Sequence, residues 1–253
     1  MKTSLLPLVL LLWCTLACDR GARTQEYEVL RTLPHDSLAY TQGLVYHDGF
    51  LFESTGRRGS SSVRKVRIET GEVLQLTAVP EEYFGEGLAL AGSELFQLTW
   101  QSGRGFVYDL DFLTLQRTFE YEGEGWGLCH DGSFFFMSNG SDRILRRDPE
   151  TFEVLEELRV TRNGISVRGL NELECVNGDI YANVYQTARI VRIDKATGRV
   201  VSELNGFRLS AAARRAPDPE AVLNGIAHDP VRGTFYVTGK LWSSLFEIGL
   251  DGL

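Results

Sequence analysis

Five residues that occupy the same position in five copies of a short motif are the first candidates for chemistry in this sequence. They are Gln42, Glu86, Trp126, Asn171 and Asn224, and in each copy an aliphatic residue follows two positions later. A hydrophobic core would not place four polar groups at one register, so we interpret these residues as the lining of a pocket. Glu86 is the only carboxylate among the five, and it could accept a proton from a ligand and return it.

A second set of equivalent positions lies in the loop after the strand that follows each motif. The set comprises Gly56, Trp100, Gly140, Tyr185 and Lys240. Aromatic residues also precede two members of the first set by two positions. We therefore expect one mouth of the pocket to carry a single cation, Lys240, and the rings of Tyr40, Phe84, Trp100, Trp126 and Tyr185. The alternative is that these rings only pack neighbouring sheets together.

The spacing of the motif indicates which elements position these side chains. Successive copies start 44, 40, 45 and 53 residues apart. A strand-rich repeat of roughly this period is typical of β-propeller blades, whose innermost strands surround a common axis. We therefore predict an all-β fold, a five-bladed β-propeller, in which residues 26–253 form a single domain.

The N-terminal strand is predicted to close the ring. Residues 26–33 alternate polar and apolar side chains, as a half-buried strand does, and they resemble the last strand of the first four repeats. The fifth repeat reaches Leu253 without such a strand. Residues 26–33 would therefore complete the last blade and remove a bare sheet edge. The longest gap, residues 205–221, is predicted to be a rim loop with one helical turn.

The first 18 residues are typical of an export signal. Lys2 supplies a positive charge, and an apolar stretch too short to span a bilayer runs from Leu5 to Trp13. Thr15-Leu16-Ala17-Cys18 resembles a bacterial lipobox, in which Cys18 would be lipidated; simple export to the periplasm is the alternative. Either way we expect an exported bacterial protein, periplasmic or anchored to a membrane, with residues 19–25 as a polar tether.

The remaining two cysteines, Cys129 and Cys175, lie at nearly equivalent places in the third and fourth repeats. An oxidising compartment would permit a bridge, but we favour two separate buried thiols. Three of the four histidines, His47, His130 and His228, stand beside Asp in hairpin turns. Turn polarity explains them better than a role in metal binding or catalysis.

Several motifs together resemble the glutaminyl-peptide cyclotransferases of the plant and bacterial type. The resemblance runs in order from about residue 26 to 250. The motifs are Tyr40-Thr-Gln-Gly-Leu44, Phe84-Gly-Glu-Gly-Leu88, Gln97-Leu-Thr-Trp100, Gly125-Trp-Gly-Leu128, Leu170-Asn-Glu-Leu-Glu174, Ala182-Asn-Val-Tyr-Gln186 and Leu223-Asn-Gly-Ile-Ala227. The family folds as a five-bladed propeller and converts N-terminal glutamine to pyroglutamate, releasing ammonia.

The resemblance implies a role for each matching residue. Glu86 would transfer protons, with Asn171 and Lys240 as polar partners. The side chains implied to contact the substrate are Tyr40, Gln42, Phe84, Trp100, Trp126, Tyr185 and Asn224. One residue departs from the family, which often has Trp where this chain has Tyr185, so the substrate preference is open.

The pocket lining is consistent with cyclisation. One carboxylate in a partly desolvated aromatic setting could take a proton from the substrate's α-ammonium and return it to the departing amide nitrogen. The amide oxygen needs a hydrogen-bond donor, which Asn171, Lys240 or a tryptophan indole could supply. The scheme needs no metal or organic cofactor. The expected partners are peptides or proteins with N-terminal glutamine, and we expect a monomer.

Two other classes of function fit the ring of residues. A calcium-dependent propeller lactonase or esterase would use Glu86, Asn171 and Asn224 as oxygen ligands, although such a site usually has more than one carboxylate. A non-catalytic propeller would use the aromatic residues to bind a sugar or peptide. A formal net charge of −8 argues against nucleic acid as a partner.

Overall fold

The computed structural model describes residues 21–215 and 217–251, and in them the strands form five blades, each with four antiparallel strands; one blade carries a fifth, parallel strand at its outer edge. The two N-terminal strands are β1 (Arg23–Thr24) and β2 (Tyr27–Pro34). Blade 1 contains β3 (Thr41–His47), β4 (Phe50–Thr55), β5 (Ser62–Arg67) and β6 (Val73–Ala78). Blade 2 contains β7 (Gly85–Ala91), β8 (Glu94–Thr99), β9 (Arg104–Asp109) and β10 (Leu115–Glu120). The predicted all-β propeller is confirmed.

The remaining blades follow the same order from the axis outwards. Blade 3 contains β11 (Leu128–His130), β12 (Phe135–Ser138), β13 (Arg143–Arg147) and β14 (Val154–Arg159). A small hairpin follows, β15 (Thr161–Arg162) with β16 (Ile165–Ser166). Blade 4 contains β17 (Leu170–Val176), β18 (Asp179–Val184), β19 (Arg189–Asp194) and β20 (Val200–Asn205). Helix α1 (Phe207–Ala212) precedes blade 5, which contains β21 (Leu223–Asp229), β22 (Thr234–Gly239) and β23 (Ser244–Leu250).

The ring closes as the sequence predicts. Strand β2 pairs antiparallel with β23, from Tyr27 opposite Leu250 to Pro34 opposite Ser244, and so becomes the outer strand of blade 5. The first and last strands of the domain therefore hold each other by a full ladder of backbone hydrogen bonds. The predicted helical turn in the gap before blade 5 is also present, as α1.

Residues 21–25 do not form a free tether, which corrects the sequence interpretation for this stretch. Strand β1 pairs in parallel with β20 at the outer edge of blade 4, and Gln25 donates from Nε2 to the carbonyl oxygen of Asp251 at 2.8 Å. The segment thus crosses from blade 4 to the end of blade 5, because its backbone groups find partners on both. The predicted signal, residues 1–18, lies outside the described residues.

The apolar faces of neighbouring blades make the core. One cluster, for example, joins Tyr181 of blade 4 to Phe235 and Ile248 of blade 5, all of them buried. Such burial removes about 25 cal/mol of unfavourable hydration free energy for each Å² of apolar surface. Each blade is therefore stabilised mainly by its two neighbours.

Cys129 of β11 and Cys175 of β17 form a disulfide, with Cα atoms 5.5 Å apart. The preference for two separate thiols was wrong. The two residues have nearly the same position in adjacent blades, and this places their Cα atoms within the range that a disulfide requires. The bridge links blades 3 and 4 covalently.

A buried charged cluster lies where the chain closes on itself. Nε2 of the His35 ring donates to Oε1 of the Glu53 carboxylate at 3.0 Å, and Arg64 donates to Oε2 of the same carboxylate from Nε and Nη2. The other ring nitrogen of His35 lies 2.7 Å from the carbonyl oxygen of Trp242 in the loop between β22 and β23. The cluster therefore ties blade 1 to the closing blade.

Candidate active site

The innermost strands carry β-bulges at the positions of the predicted pocket residues. In blade 2 the pairing of β7 with β8 jumps from Gly85 to Leu88, which leaves Glu86 outside the regular ladder. Corresponding shifts occur at Thr41/Gly43, Leu170/Leu173 and Leu223/Ile226. A bulge redirects a side chain that would otherwise alternate between the faces of the sheet. Gln42, Glu86 and Asn171 reach one cavity at the axis for this reason.

One cavity of about 280 Å³ brings together nine of the ten predicted side chains. They are Tyr40, Gln42, Phe84, Glu86, Trp100, Trp126, Asn171, Tyr185 and Lys240, and Glu220 is a further lining residue. The cavity is large enough for a single amino-acid residue, and its walls are mainly aromatic. The convergence that the repeat register predicts is therefore present; the role of each residue stays a prediction.

Two glycines make room for the rings at the mouth. A Cβ atom on Gly56 would lie 2.3 Å from Cε1 of Phe84, and one on Gly140 would lie 2.7 Å from the ring of Trp126. Gly140 also has a φ of +77°, which favours glycine. In blades 2, 4 and 5 this loop position is occupied by Trp100, Tyr185 and Lys240. In blades 1 and 3 it is glycine, because the ring of Phe84 or Trp126 fills the space that a side chain would need.

Glu86 lies at the bottom of the cavity and is 5% exposed. Nε2 of Gln42 donates to its Oε1 at 2.9 Å. Burial raises the pKa of Glu86 well above its ordinary value; the charge of Lys240 opposes this rise and that of Glu124 adds to it. A carboxyl group with a raised pKa can both accept and donate a proton near neutral pH, which is what a proton-transfer residue requires.

Lys240 is 3% exposed and lies between two aromatic rings. Its Nζ is 4.8 Å from the ring centroid of Tyr40 and 4.9 Å from that of Tyr185, within the range of cation–π attraction. Burial lowers the pKa of Lys240, whereas the charges of Glu86 and Glu220 oppose that change. The ammonium group thus lies between the two rings, and the charges of Glu86 and Glu220 act on it from nearby.

Asn171 presents an amide to the same cavity. Its backbone carbonyl accepts a hydrogen bond from Oγ of Ser138 at 2.7 Å, which fixes the chain at the bulge. Within the described part of the chain its side-chain Oδ1 has no hydrogen-bond partner. A buried amide with uncommitted hydrogen-bonding capacity can be satisfied by a bound ligand.

Glu124, which the sequence did not single out, holds two of the aromatic residues. Its Oε2 accepts from Nε1 of Trp100 at 2.9 Å and from Nε1 of Trp126 at 3.0 Å, while Gln101 donates to Oε1 at 2.9 Å. Both indole N–H groups are therefore occupied. The expectation that an indole could donate to the substrate's amide oxygen is not supported, and Asn171 and Lys240 are the candidates that remain.

Asn224 is the one predicted pocket residue that does not line the cavity, which corrects its assignment as a substrate contact. Its Nδ2 donates to the carbonyl oxygen of Thr41 at 3.0 Å and to Oε1 of Gln42 at 3.3 Å. Asn224 shares the register of the other motif residues, but its side chain is buried against β3 of blade 1. There it fixes the side chain of Gln42 through the hydrogen bond to Oε1.

Glu220 is the second lining residue that the sequence analysis missed. Its Oε2 accepts from the hydroxyl of Tyr185 at 2.5 Å and from that of Tyr40 at 3.2 Å. It belongs to the loop before blade 5, which has no counterpart in the other repeats. Register alignment therefore offered no signal for it.

A further buried carboxylate, Glu172, stands where all four other repeats have glycine. Its oxygens accept from the backbone N–H groups of Leu44 at 3.3 Å and Ile226 at 2.8 Å, so it joins blades 1, 4 and 5 at the axis. Burial raises its pKa well above the ordinary value, and Glu174 adds to the shift.

Among residues 21–215 and 217–251, no three His, Cys, Asp or Glu side chains are grouped so that they could hold a metal ion.

The fold and cavity define a class: a five-bladed propeller with a buried carboxylate, a lysine and an aromatic mouth around its axial cavity. The family model for glutamine cyclotransferase matches residues 6–250. The chain is 43% identical to a glutaminyl-peptide cyclotransferase of Arabidopsis thaliana over 238 residues, which cover 92% of this chain and 73% of the relative. The crystal structure of Myxococcus xanthus glutaminyl cyclase superposes with a TM-score of 0.85 at 38% identity, covering 91% of this chain and 98% of that one. This chain belongs to the glutamine cyclotransferase family.

Proposed function

We propose that this protein is an aminoacyltransferase that cyclises the N-terminal glutamine of peptides and proteins to pyroglutamate and releases ammonia. The observation that carries the proposal is the single cavity in which buried Glu86, Lys240 and Asn171 lie beneath aromatic walls. Membership of the family supports the same reaction. The cavity holds one residue, and the rest of the peptide leaves through the mouth.

The α-ammonium group of the substrate binds beside Glu86. Its positive charge favours the ionised carboxylate and so counteracts the burial that raises the pKa of Glu86 in the free protein. The aromatic walls fold the glutamine side chain so that the α-nitrogen faces the amide carbon. Holding both groups of one molecule in this geometry removes much of the entropic cost of ring closure.

Proton transfers then accompany the exchange of one C–N bond for another. Glu86 takes a proton from the α-ammonium, and the free amine attacks the side-chain amide carbon. The tetrahedral intermediate collapses when Glu86 returns the proton to the amide nitrogen, the C–N bond breaks and ammonia leaves. The ring nitrogen gives up its second proton, which departs with ammonia as ammonium. Atoms and charges balance, because a cationic substrate yields a neutral lactam and one ammonium ion.

The amide oxygen gains negative charge in the tetrahedral intermediate, and the cavity supplies donors for it. Lys240 brings a positive charge, and Asn171 brings an amide whose Nδ2 group can donate a hydrogen bond into the cavity. Donors held in a desolvated site stabilise such charge more strongly than water does. Neither Trp100 nor Trp126 takes part, because their N–H groups are bonded to Glu124.

Formation of ammonia and of a pyroglutamyl dipeptide from a dipeptide with N-terminal glutamine tests the proposal. The native protein is expected to produce both in equal amounts, and to leave a dipeptide with N-terminal asparagine intact, since its side chain is one methylene shorter. A calcium-dependent hydrolase would instead cleave lactones or esters and lose activity in the presence of a chelator. A binding propeller would retain the peptide without releasing ammonia.

We further propose that the protein acts outside the cytoplasm of a bacterium, as a monomer. Residues 1–18 would direct export, and Cys18, if lipidated, would anchor the protein to a membrane. The disulfide between Cys129 and Cys175 supports an oxidising compartment. No helix among the described residues is long and apolar enough to cross a membrane. Mass spectrometry of the mature N-terminus distinguishes a diacylglyceryl-modified Cys18 from an unmodified N-terminus, and light scattering measures the mass in solution.

A further inference from the structure

The loop inserted before blade 5 reaches back over the pocket and ends there in a carboxylate. Glu220 lines the cavity, and its backbone N–H donates to Oδ1 of Asp218 at 2.8 Å, which fixes the turn that presents it. Arg57 of blade 1 donates to Oδ2 of Asp218 at 2.8 Å, so the loop is also tied to the rim of blade 1. The position of Glu220 is thus set by two groups outside the pocket.

One oxygen of Glu220 joins two tyrosines from different blades. Oε2 accepts from Tyr185 at 2.5 Å and from Tyr40 at 3.2 Å, and Nε2 of Gln186 lies 3.4 Å from Oε1. The same two rings lie on either side of the Lys240 ammonium. Two tyrosines and a carboxylate therefore form one assembly around the cation.

We propose that Glu220 is a positioning residue for Lys240, acting through the hydroxyl groups of Tyr40 and Tyr185. The inference rests on the proposed cyclisation, in which Lys240 has its catalytic role. The contacts of Glu220 with the two tyrosines, and of their rings with Lys240, do not depend on that proposal. If both rings were free to rotate about χ1, the lysine would lose its cation–π contacts and could swing away from the substrate's amide oxygen. Glu220 prevents this because it holds both rings at their far ends.

The hydroxyl group of Tyr185 is what makes the assembly possible. A tryptophan at position 185 has no hydroxyl at the place where the phenol meets Glu220. Tyr185 and Glu220 therefore belong together, the first supplying the donor and the second the acceptor. Burial, and then the hydrogen bond to Glu220, raise the pKa of Tyr185 to about 12, so the phenol stays a donor at physiological pH.

The Glu220→Gln variant tests the inference without any substrate. The chain has only four lysines, Lys2, Lys65, Lys195 and Lys240, so ¹³Cε-lysine labelling makes the titration of Lys240 observable by NMR. The charged groups that act on Lys240 are Glu86, Glu220 and Arg57. In the variant the titration midpoint of Lys240 is expected to fall, because one neighbouring negative charge is gone. Glu124→Gln removes a carboxylate on the other side of the pocket and should leave the titration midpoint of Lys240 unchanged. An unchanged midpoint in Glu220→Gln would overturn the inference.

Kinetics separate positioning from direct contact with the substrate. With a glutamine dipeptide, Glu220→Gln should lower kcat about tenfold and change KM less than threefold, since the loss falls on transition-state stabilisation. In a Tyr40→Phe/Tyr185→Phe background the same change should cost less than about twofold, because the hydroxyls through which Glu220 acts are absent. A full tenfold loss in that background would show that Glu220 acts on the substrate directly, contrary to the inference. Failure of the native protein to cyclise would contradict the proposed function alone, since the NMR result stands without it.

Discussion

The two walls of the pocket are built on the same plan from different residues. In the indole wall, one oxygen of Glu124 accepts hydrogen bonds from Trp100 and Trp126. In the tyrosine wall, one oxygen of Glu220 accepts them from Tyr40 and Tyr185. Each carboxylate fixes two rings that come from different blades. The walls differ in what the rings surround, and this difference separates their roles.

The indole wall carries no cation and presents flat apolar surface to the cavity, as suits a surface that folds and desolvates a substrate side chain. The tyrosine wall encloses Lys240, which suits it to stabilise developing charge. Substitutions in the tyrosine wall should therefore lower kcat. Substitutions in the indole wall should raise KM and change the pKa of Glu86.

Removal of the cation should give the largest difference between the walls. Lys240→Met keeps a chain of similar length but no charge, and kcat/KM for a glutamine dipeptide should fall about 10²- to 10³-fold, the range seen when one donor to an oxyanion is lost. Lys195→Met, at a partly exposed lysine that forms an ion pair with Asp131, is the matched control and should stay within twofold of native. Steady-state kinetics at saturating and limiting substrate give both numbers. Comparable losses of kcat/KM in the two variants would mean that the charge of Lys240 does not stabilise the transition state.

A change on the indole side should be smaller and should appear in the pH profile. The charge of Glu124 helps to raise the pKa of Glu86, so Glu124→Gln should lower the pKa of Glu86 and shift the acidic limb of kcat/KM to lower pH. KM should rise about five- to tenfold, because both indole N–H groups lose their charged acceptor. Initial rates across pH 4–9 measure both effects. An acidic limb at the same pH as in the native protein would show that the charge of Glu124 does not raise the pKa of Glu86.

Exchange of Tyr185 for tryptophan keeps an aromatic ring in the tyrosine wall and removes its hydroxyl group. The ring remains, but the hydrogen bond to Glu220 is lost, so kcat should fall about threefold while an aromatic contact with the substrate persists. Dipeptides that differ in their second residue would show whether the swap also changes preference. A larger loss than in Lys240→Met would be incompatible with a supporting role for this ring.

Glu53 provides a reference outside both walls, and Glu53→Gln should affect stability far more than turnover. This carboxylate is buried with His35 and Arg64 at the closure of the ring, and breaking such a pair costs about 3 kcal/mol. Thermal unfolding should therefore show a lower Tm at pH 7, while kcat of the folded protein stays within about twofold. A loss of kcat without a change in Tm would contradict the assignment.

The same cluster gives a pH dependence with a definite sign. Burial opposes the charge of Glu53, but Arg64 and His35 outweigh it and lower the pKa of Glu53, so its contribution is present at neutral pH and is lost as pH falls towards the folded pKa. For His35, burial lowers the pKa, but Glu53 outweighs it and the net shift is upward. That contribution is complete below about pH 6.5 and is lost as pH rises through the folded value. Native stability should therefore be highest in mildly acidic solution, and the pH dependence should flatten in Glu53→Gln.

The repeat explains how much of the site could be predicted. Glu86, Asn171 and Lys240 were found because five blades place equivalent residues around one axis, and this needs no knowledge of side-chain contacts. Asn224 obeys the same register and yet misses the cavity, because Gln42 from the adjoining blade stands in front of it. Register predicts where a residue lies along the axis and not which neighbour covers it.

Glu124 lies inside the register, two residues before Trp126, where blades 1 and 2 have Tyr40 and Phe84. A carboxylate there does not fit the aromatic pattern, so the pattern did not predict its role. Glu220 lies in an insertion, so no repeat comparison could assign it. The disulfide between Cys129 and Cys175 depended on a distance across two blades, which sequence position suggests but does not measure. In each case the deciding fact is a contact between segments far apart in the chain.

The central claim is that one buried carboxylate moves the proton in both steps, and Glu86→Gln tests it most directly. The change keeps the shape of the side chain and removes its ability to take a proton. Ammonia release from a glutamine dipeptide should fall at least about 10³-fold, with the circular dichroism spectrum and Tm close to native. Cyclisation within tenfold of the native rate in a correctly folded variant would contradict the account.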